Sequence, residues 1–339
     1  MNNSVISIDL AKNSFQICAL NSHHKVVFNK KVTRKKLVSE LQQLSPAPVI
    51  MEACYSANPW GRKLQELGFD VKLIPPYQVK PFLVGNKNDH NDAVAIAEAS
   101  LRPKARFVPV KTLEQQDVQS LQRIRERLIK SRTALVNQLR GLLSEYGIVV
   151  EKLPYKLKAK VPLILEDSSN PLTVKARQFI QSLYQEWDYL DKRINDIEEM
   201  TDNSVKDNED YQRLINIPGI GPVTATALIA SICDPHHFKN GRHMAAWIGL
   251  TPSQYASGDS NKLGGITKRG NRTLRRLLIH GARALMNWSH KKNDKFSRWI
   301  NALCQRMHVC KAIVAIANKL ARIAWAVLAK KESYNPAVA

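Results

Sequence analysis

The pattern of apolar and polar positions changes along this chain, from short strand-like runs to a sustained helical period. Val5-Ile6-Ser7-Ile8-Asp9-Leu10 and Pro48-Val49-Ile50-Met51-Glu52 are short, mostly apolar runs, the pattern of buried strands. Residues 4–10, 14–20 and 25–32 predict three successive strands, with Asn13 and Asn21-Ser22 supplying the turns. The pattern then predicts a helix over 33–44, a strand near 48–53, a helix near 57–67 and a strand near 70–74. Pro75-Pro76 stop that strand, and a further helix is predicted over 89–101. From 112 onward the period becomes helical. Leu121, Ile124, Leu128, Leu135 and Leu142 follow a three/four spacing. In 172–200, Ala176, Leu183, Leu190 and Ile197 recur every seventh residue, with Ile180, Trp187 and Ile194 as a second row. These are heptad seams of a coiled-coil arm. The seams suit packing within one subunit and pairing between subunits equally. A connection holding Pro154, Pro162 and Pro171 separates the two helices.

Three strands in a meander, then alternating helix and strand, is the order of a ribonuclease-H-like α/β domain. In that fold the first and fourth strands are neighbours, which would bring Asp9 and Glu52 to one edge. A carboxylate in a buried strand is costly unless something pairs with it. Asp89 and Asp92 lie three apart at a helix start, on one face. Four acids kept together suggest a divalent cation and chemistry on phosphates. His90 reads as solvent-facing, with metal-shell or acid/base work as the alternative. Lys87 would bind a phosphate or neutralise the acids. Tyr55, Trp60, Trp247 and Trp288 read as packing residues.

Further along, LINIPGIGPVTATAL over 214–228 places Gly219 and Gly221 around Ile220 between two apolar helical stretches. This helix-hairpin-helix signature exposes backbone N–H groups that take a phosphate without reading bases. In its alternative role the same turn only packs one helix pair on another. The apolar stretch 309–328 is interrupted by Lys311, Asn318, Lys319 and Arg322, so it reads as a packed amphipathic helix and not a membrane span.

Composition adds the partner. The chain has 339 residues and a net charge of +22, which favours a polyanion. Residues 1–110 are net +7, residues 111–210 net −1 and residues 211–339 net +16. The C-terminal third is therefore the expected nucleic-acid contact. Five cysteines without CxxC spacing read as reduced thiols, and Cys304, His308 and Cys310 lack a second half of a zinc site. No signal peptide is expected, because the N-terminus leads straight into the first strand. Within the basic segment, GLTPSQYASGDSNKLGGITKRGNRTLRRLLIHGARAL reads as a loop followed by a helix. Arg272 and Arg276 are i,i+4 neighbours with Arg275 beside them, a cationic face suited to a sugar–phosphate backbone. Lys262, Lys268 and Arg269 extend it. Ser257, between Ala256 and Gly258, is open to close approach, although a loop serine by itself reads as a turn residue.

These segments resemble the DEDD-type insertion-sequence transposases, including the Piv-like DNA invertases and the bridge-RNA-guided recombinases. ISIDLAKNSF, IMEAC and KNDHNDAVAIAEA resemble that family's RuvC-like half. IPGIGPVTA and AAWIGLTPSQYASGDSNKLGGITKRGNRTLRRLLIHGA resemble its C-terminal half, so the likeness covers essentially the whole chain. The resemblance implies a RuvC-like domain over 1–110, a coiled-coil arm over 111–210 and a mainly helical transposase domain over 211–339. It implies that Asp9, Glu52, Asp89 and Asp92 hold Mg2+ (or Mn2+). It also implies that Ser257 attacks a DNA phosphate to give a covalent serine–DNA link. Ser-Gly-Asp stands here where the family has Ser-Gly-Gly, so Ser260 and Ser253 stay as alternatives to Ser257. Double-stranded donor and target DNA, a guide RNA and a homo-oligomer (dimer or tetramer) are the implied partners. The implied setting is bacterial, cytoplasmic and nucleoid-associated, with no membrane. The residues themselves do not show the RNA.

Two other readings compete with a recombinase. One is a Holliday-junction-type nuclease in which water attacks and Ser257 only binds. The other is a nucleic-acid scaffold whose acids merely pair with Lys and Arg.

Overall fold

The computed structural model describes residues 3–86 and 88–336. Lys87 lies outside the described residues. The chain folds as two compact units, Met1–Leu113 and Glu114–Ala339.

The first unit is mixed α/β. Strands β1 (Asn3–Leu10), β2 (Ser14–Asn21) and β3 (Val26–Thr33) form the meander, followed by α1 (Leu37–Gln42) and β4 (Val49–Glu52). Next come α2 (Ala57–Glu66), β5 (Val71–Ile74), α3 (Pro76–Val79) and α4 (Asp89–Ser100). The sheet order is β3-β2-β1-β4-β5, with β1 parallel to β4 and β4 parallel to β5. Strand alternation sorts the side chains onto two faces. Ile6, Ile8, Val49 and Met51 pack with Leu37, Leu41, Trp60 and Leu64 of α1 and α2. Val5, Ile50 and Ile74 pack with Ala93, Ile96 and Ala97 of α4 on the other face. The alanines of α4 bring its backbone close to the sheet, and buried Ser7 Oγ donates to Ala93 O at 2.6 Å. Trp60 packs edge-on against Phe15, as its apolar setting predicts. Tyr55 departs from expectation. It lies in the turn after β4 and is 80% exposed.

The second unit is mostly helical. Helices α5 (Leu113–Glu145), α6 (Pro154–Glu166) and α7 (Val174–Val205) share one hydrophobic cluster. Arg125 pairs with Glu198 at 2.6 Å and Arg132 with Asp191 at 2.9 Å. The partners move seven residues forward on α5 and seven back on α7, so the two helices pair antiparallel within one chain. On α7, Ala176, Ile180, Trp187, Leu190, Ile194 and Ile197 are all buried. The α5 seam differs from its predicted one. Ile124 is exposed and Leu142 only half-buried, whereas Val136, Leu139 and Leu143 are buried. The reason is that α5 serves two cores. Its Val118 belongs to the C-terminal cluster, and its later turns belong to the arm cluster.

The C-terminal cluster joins α8 (Glu209–Ile215), α9 (Pro222–Ser231), α10 (Gly241–Ile248), α11 (Arg272–Trp288), α12 (Lys295–Arg306) and α13 (Val309–Lys330). Helix α13 is long and apolar enough to cross a membrane by length and composition. Its Ala312, Ile316, Ala317, Leu320, Ala321 and Ala324 are fully buried in this cluster. Trp288, expected in the core, is 58% exposed, with Lys291 Nζ 4.5 Å above its ring. Between α10 and α11, the predicted loop is instead a β-hairpin. Strands β6 (Pro252–Ser257) and β7 (Ser260–Ile266) pair antiparallel, and nearly all their residues are exposed.

Candidate active site

The parallel register Ile6↔Val49, Ser7↔Ile50, Ile8↔Met51 leads to Asp9 and Glu52 at the same end of adjacent strands. By alternation Asp9 shares the face of Val5 and Ser7, and Glu52 that of Ile50. This is the face covered by α4, whose first turn carries Asp89 and Asp92. Asn88 caps that turn, its side chain accepting from Asn91 N–H. The four carboxylates thus come from two strand ends and one helix start. Asp9 registers the effect: burial foremost, then the charges of Asp92, Asp89 and Glu52, push its carboxyl up to about 6.

Two neighbours went unnoticed in the sequence. Gln16 lies opposite Asp9 on β2, and Lys31 lies opposite Gln16 on β3, so all three share one face. Lys31 Nζ sits 2.8 Å from Asp89 Oδ2. The signal was present as period two: Asn29 and Lys31 alternate with the inward Phe28 and Val32. His90 is exposed, with Nδ1 3.4 Å from Asn91 Oδ1.

The chemistry of this set fits a hard divalent cation, which takes oxygen ligands. Asp92 Oδ1 is buried and has no hydrogen-bond partner among the described residues. An orphaned carboxylate oxygen beside a carboxyl whose pKa is pushed up by burial and by its acidic neighbours is what a bound cation would relieve. Among the described residues no three His, Cys, Asp or Glu side chains close into a cage around one point. Asp89 is engaged by Lys31 in this arrangement.

Ser257 belongs to the second unit and ends β6. It pairs with Ser260 across a two-residue turn, Gly258-Asp259, with Gly258 at φ +53°. A glycine with positive φ at the first turn position gives a tight II′-type hairpin. Both Ser257 and Ser260 are exposed at the tip. Ser253 is engaged lower down, its Oγ donating to Gly265 O at 3.1 Å.

The basic residues divide. Lys262, Lys268, Arg269 and Arg272 are exposed. Arg276 is exposed and pairs with Glu126 of α5 at 3.2 Å. Arg275 corrects the expected cationic face. It is only 9% exposed, and its Nη1 donates to Ile248 O at 2.7 Å and Arg269 O at 2.8 Å. Burial, and then Arg272, lower its pKa. This guanidinium ties the end of α10 to the segment that follows the hairpin. The Gly219 turn also packs. Gly219 has φ +85°, and a Cβ on Gly281 of α11 would stand 2.0 Å from Gly219 O. Gly221 is exposed, with open space where a Cβ would go.

Comparison with known proteins agrees with both halves. Residues 6–148 match a transposase family model of the DEDD type of IS110 elements. Residues 211–298 match the model described as transposase IS116/IS110/IS902 family. The transposase for insertion sequence element IS1111A of Coxiella burnetii is 46% identical over 331 residues, 98% of this chain and 91% of that protein. A probable family 20 transposase of Pseudomonas aeruginosa is 43% identical, covering 99% of this chain and 100% of the relative. The transposase for insertion sequence element IS1328 of Yersinia enterocolitica is 38% identical, covering 96% and 97%. With matches of this extent running through the acid-bearing sheet and the serine hairpin alike, the chain belongs to the IS110-type family of insertion-sequence transposases, enzymes that cleave DNA and transfer its strands.

Proposed function

We propose that this transposase works through a serine ester to DNA, with Asp9, Glu52, Asp89 and Asp92 holding Mg2+ or Mn2+ at the scissile phosphate. The observation that carries the reading is the gathering of four carboxylates on the α4 face, with Asp92 Oδ1 left without a partner. A bound divalent pair would supply charge neutralisation for the attacking and leaving oxygens and would lower the pKa of a nearby hydroxyl. Ser257 Oγ loses its proton and forms a bond to phosphorus. The phosphorus–oxygen bond to the departing deoxyribose breaks, and that oxygen leaves as a hydroxyl. Attack by another strand's hydroxyl reverses the step, rejoins DNA and returns the serine, so bond energy is conserved throughout. Exposure at a tight hairpin tip supports Ser257 as the attacking group, and Ser253 is the weaker candidate because its hydroxyl is engaged. Exposed Lys262, Lys268, Arg269 and Arg272 would track phosphates. Gly221 leaves room for a phosphate at the helix-hairpin-helix turn, whereas Gly219 contributes by shaping it.

The same reading gives a three-part organisation, with 111–210 as an antiparallel coiled-coil arm. It gives a homo-oligomer acting on donor and target DNA under a guide RNA, in the bacterial cytoplasm at the nucleoid. A supercoiled-plasmid assay tests the chemistry. Denatured samples should retain a covalent protein–DNA adduct, lost in Ser257→Ala and in Asp9→Ala but kept in Ser260→Ala. Cleavage that survives Ser257→Ala would assign the attack to water and sink the serine reading. Sequencing RNA that co-purifies with the chain tests the guide.

A further inference from the structure

Away from the acids and the serine hairpin, the arm carries a cleft of about 360 Å3 between α5, α6 and α7. Its setting is unusual for the arm, because residues 111–210 hold 16 basic and 17 acidic residues. Against that near-balance, Arg132, Arg140, Lys152 and Lys158 all line one cleft. Two of these cations are neutralised. Asp191 pairs with Arg132 at 2.9 Å and with Lys158 at 2.5 Å, and Asp188 adds a contact to Lys158 at 2.7 Å. These pairs fix the wall beside the buried Trp187 ring, over which Lys158 Nζ stands at 5.5 Å.

The surplus charge lies with Arg140 and Lys152. Arg140 Nη1 donates to Asn137 Oδ1 at 3.0 Å and Nη2 to Lys152 O at 2.9 Å. Its Nε–H is buried and has no hydrogen-bond partner among the described residues. A buried guanidinium donor without an acceptor is costly, and in native structures such groups call for an explanation. Lys152 is exposed at the same cleft, and so is Tyr155, at 66%. An exposed aromatic beside a cationic notch is the pairing used to stack a base while holding its phosphate.

We propose that this cleft is a nucleotide-binding site for an unpaired stretch of nucleic acid. One backbone phosphate sits against Arg140 and Lys152, and the adjoining base lies on Tyr155. The site is independent of the carboxylates and of Ser257, so it stands or falls separately from the cleavage chemistry. The shared ligand chemistry is a single-stranded phosphodiester, supplied by RNA or by DNA.

Twelve-residue strands containing 4-thiouridine or 4-thiothymidine, photocrosslinked to the full chain and mapped by mass spectrometry, test the proposal. Adducts at Tyr155 are expected, and the strand type giving the higher yield identifies the source. Lys152→Gln should weaken single-strand binding by about five-fold and lower the salt slope of affinity by about one. Tyr155→Leu should weaken binding without changing that slope. Both side chains are exposed, and unchanged melting temperatures would verify folding. Adducts confined to other regions, or an unchanged affinity and salt slope in Lys152→Gln, would overturn the proposal. So would a loss confined to duplex DNA.

Discussion

Asp9 shows how one residue carries both the cost and the purpose of the site. Its carboxyl titrates near 6 in the fold against an ordinary value of 3.8, chiefly because of burial and then because of Asp92, Asp89 and Glu52. Between those values the folded state binds more protons than the unfolded chain. Stability therefore falls as pH rises from about 4 to about 6, and the loss persists above that. In EDTA the melting temperature should decline over that interval, and Asp9→Asn should flatten the decline. Adding Mg2+ at pH 7 should raise the melting temperature of the parent protein and have little effect on Asp9→Asn. A parent curve that matches Asp9→Asn would show that the acids do not interact as described. Asp9 and Glu52 were legible because a charge inside an apolar strand stands out in any sequence, and Asp89 and Asp92 because they lie three apart at a helix start. Lys31 and Arg275 were not. Lys31 acquires its role only when β3 is set beside β2. Arg275 looks like its exposed neighbours until the fold places two carbonyl oxygens around it.

At the scale of elements, β1 and β4 could be read because a sheet covered on both faces leaves short, mostly apolar runs bounded by turn residues. Hairpin β6–β7 could not, since residues on both its faces are exposed and no apolar alternation marks it. Glycine and serine in such a segment read as a loop. The Pro-Gly-Ile-Gly turn was legible as a turn, but its partner was not. Gly281, 62 residues after Gly219, sits where α11 crosses the turn, and the two backbones approach too closely for a methyl group. Gly281→Ala would set its Cβ 2.0 Å from Gly219 O, so backbone must shift. Overpacking of this kind costs about 1–3 kcal/mol. Chemical denaturation should show a loss of at least that size, although alanine is intrinsically the better helix former. A neutral or stabilising Gly281→Ala would mean that α11 does not press on the turn.

For the whole molecule, the heptad rows left open whether the arm joins two copies or folds on itself. The structure fills those rows in cis. Leu139, Leu143, Ile180 and Ile194 share one buried cluster, and the ion pairs Arg125–Glu198 and Arg132–Asp191 set an antiparallel register inside the chain. Sequence periodicity could not decide this, because the same seam serves either arrangement. The connection holding Pro154 and Pro162 does not break the arm. Pro154 opens α6, Pro162 sits inside it, and Leu157 and Val161 add to the same core. Ile180→Ala should destabilise the protein by about 2–5 kcal/mol through cavity formation. If the seam lies within one chain, the lowering of melting temperature should be the same at dilute and at concentrated protein. Were the seam shared between subunits, mass action would make the shift depend on concentration, and dilution would dissociate the variant first. Melting curves over a hundred-fold range of protein, with light scattering at each end, distinguish the two.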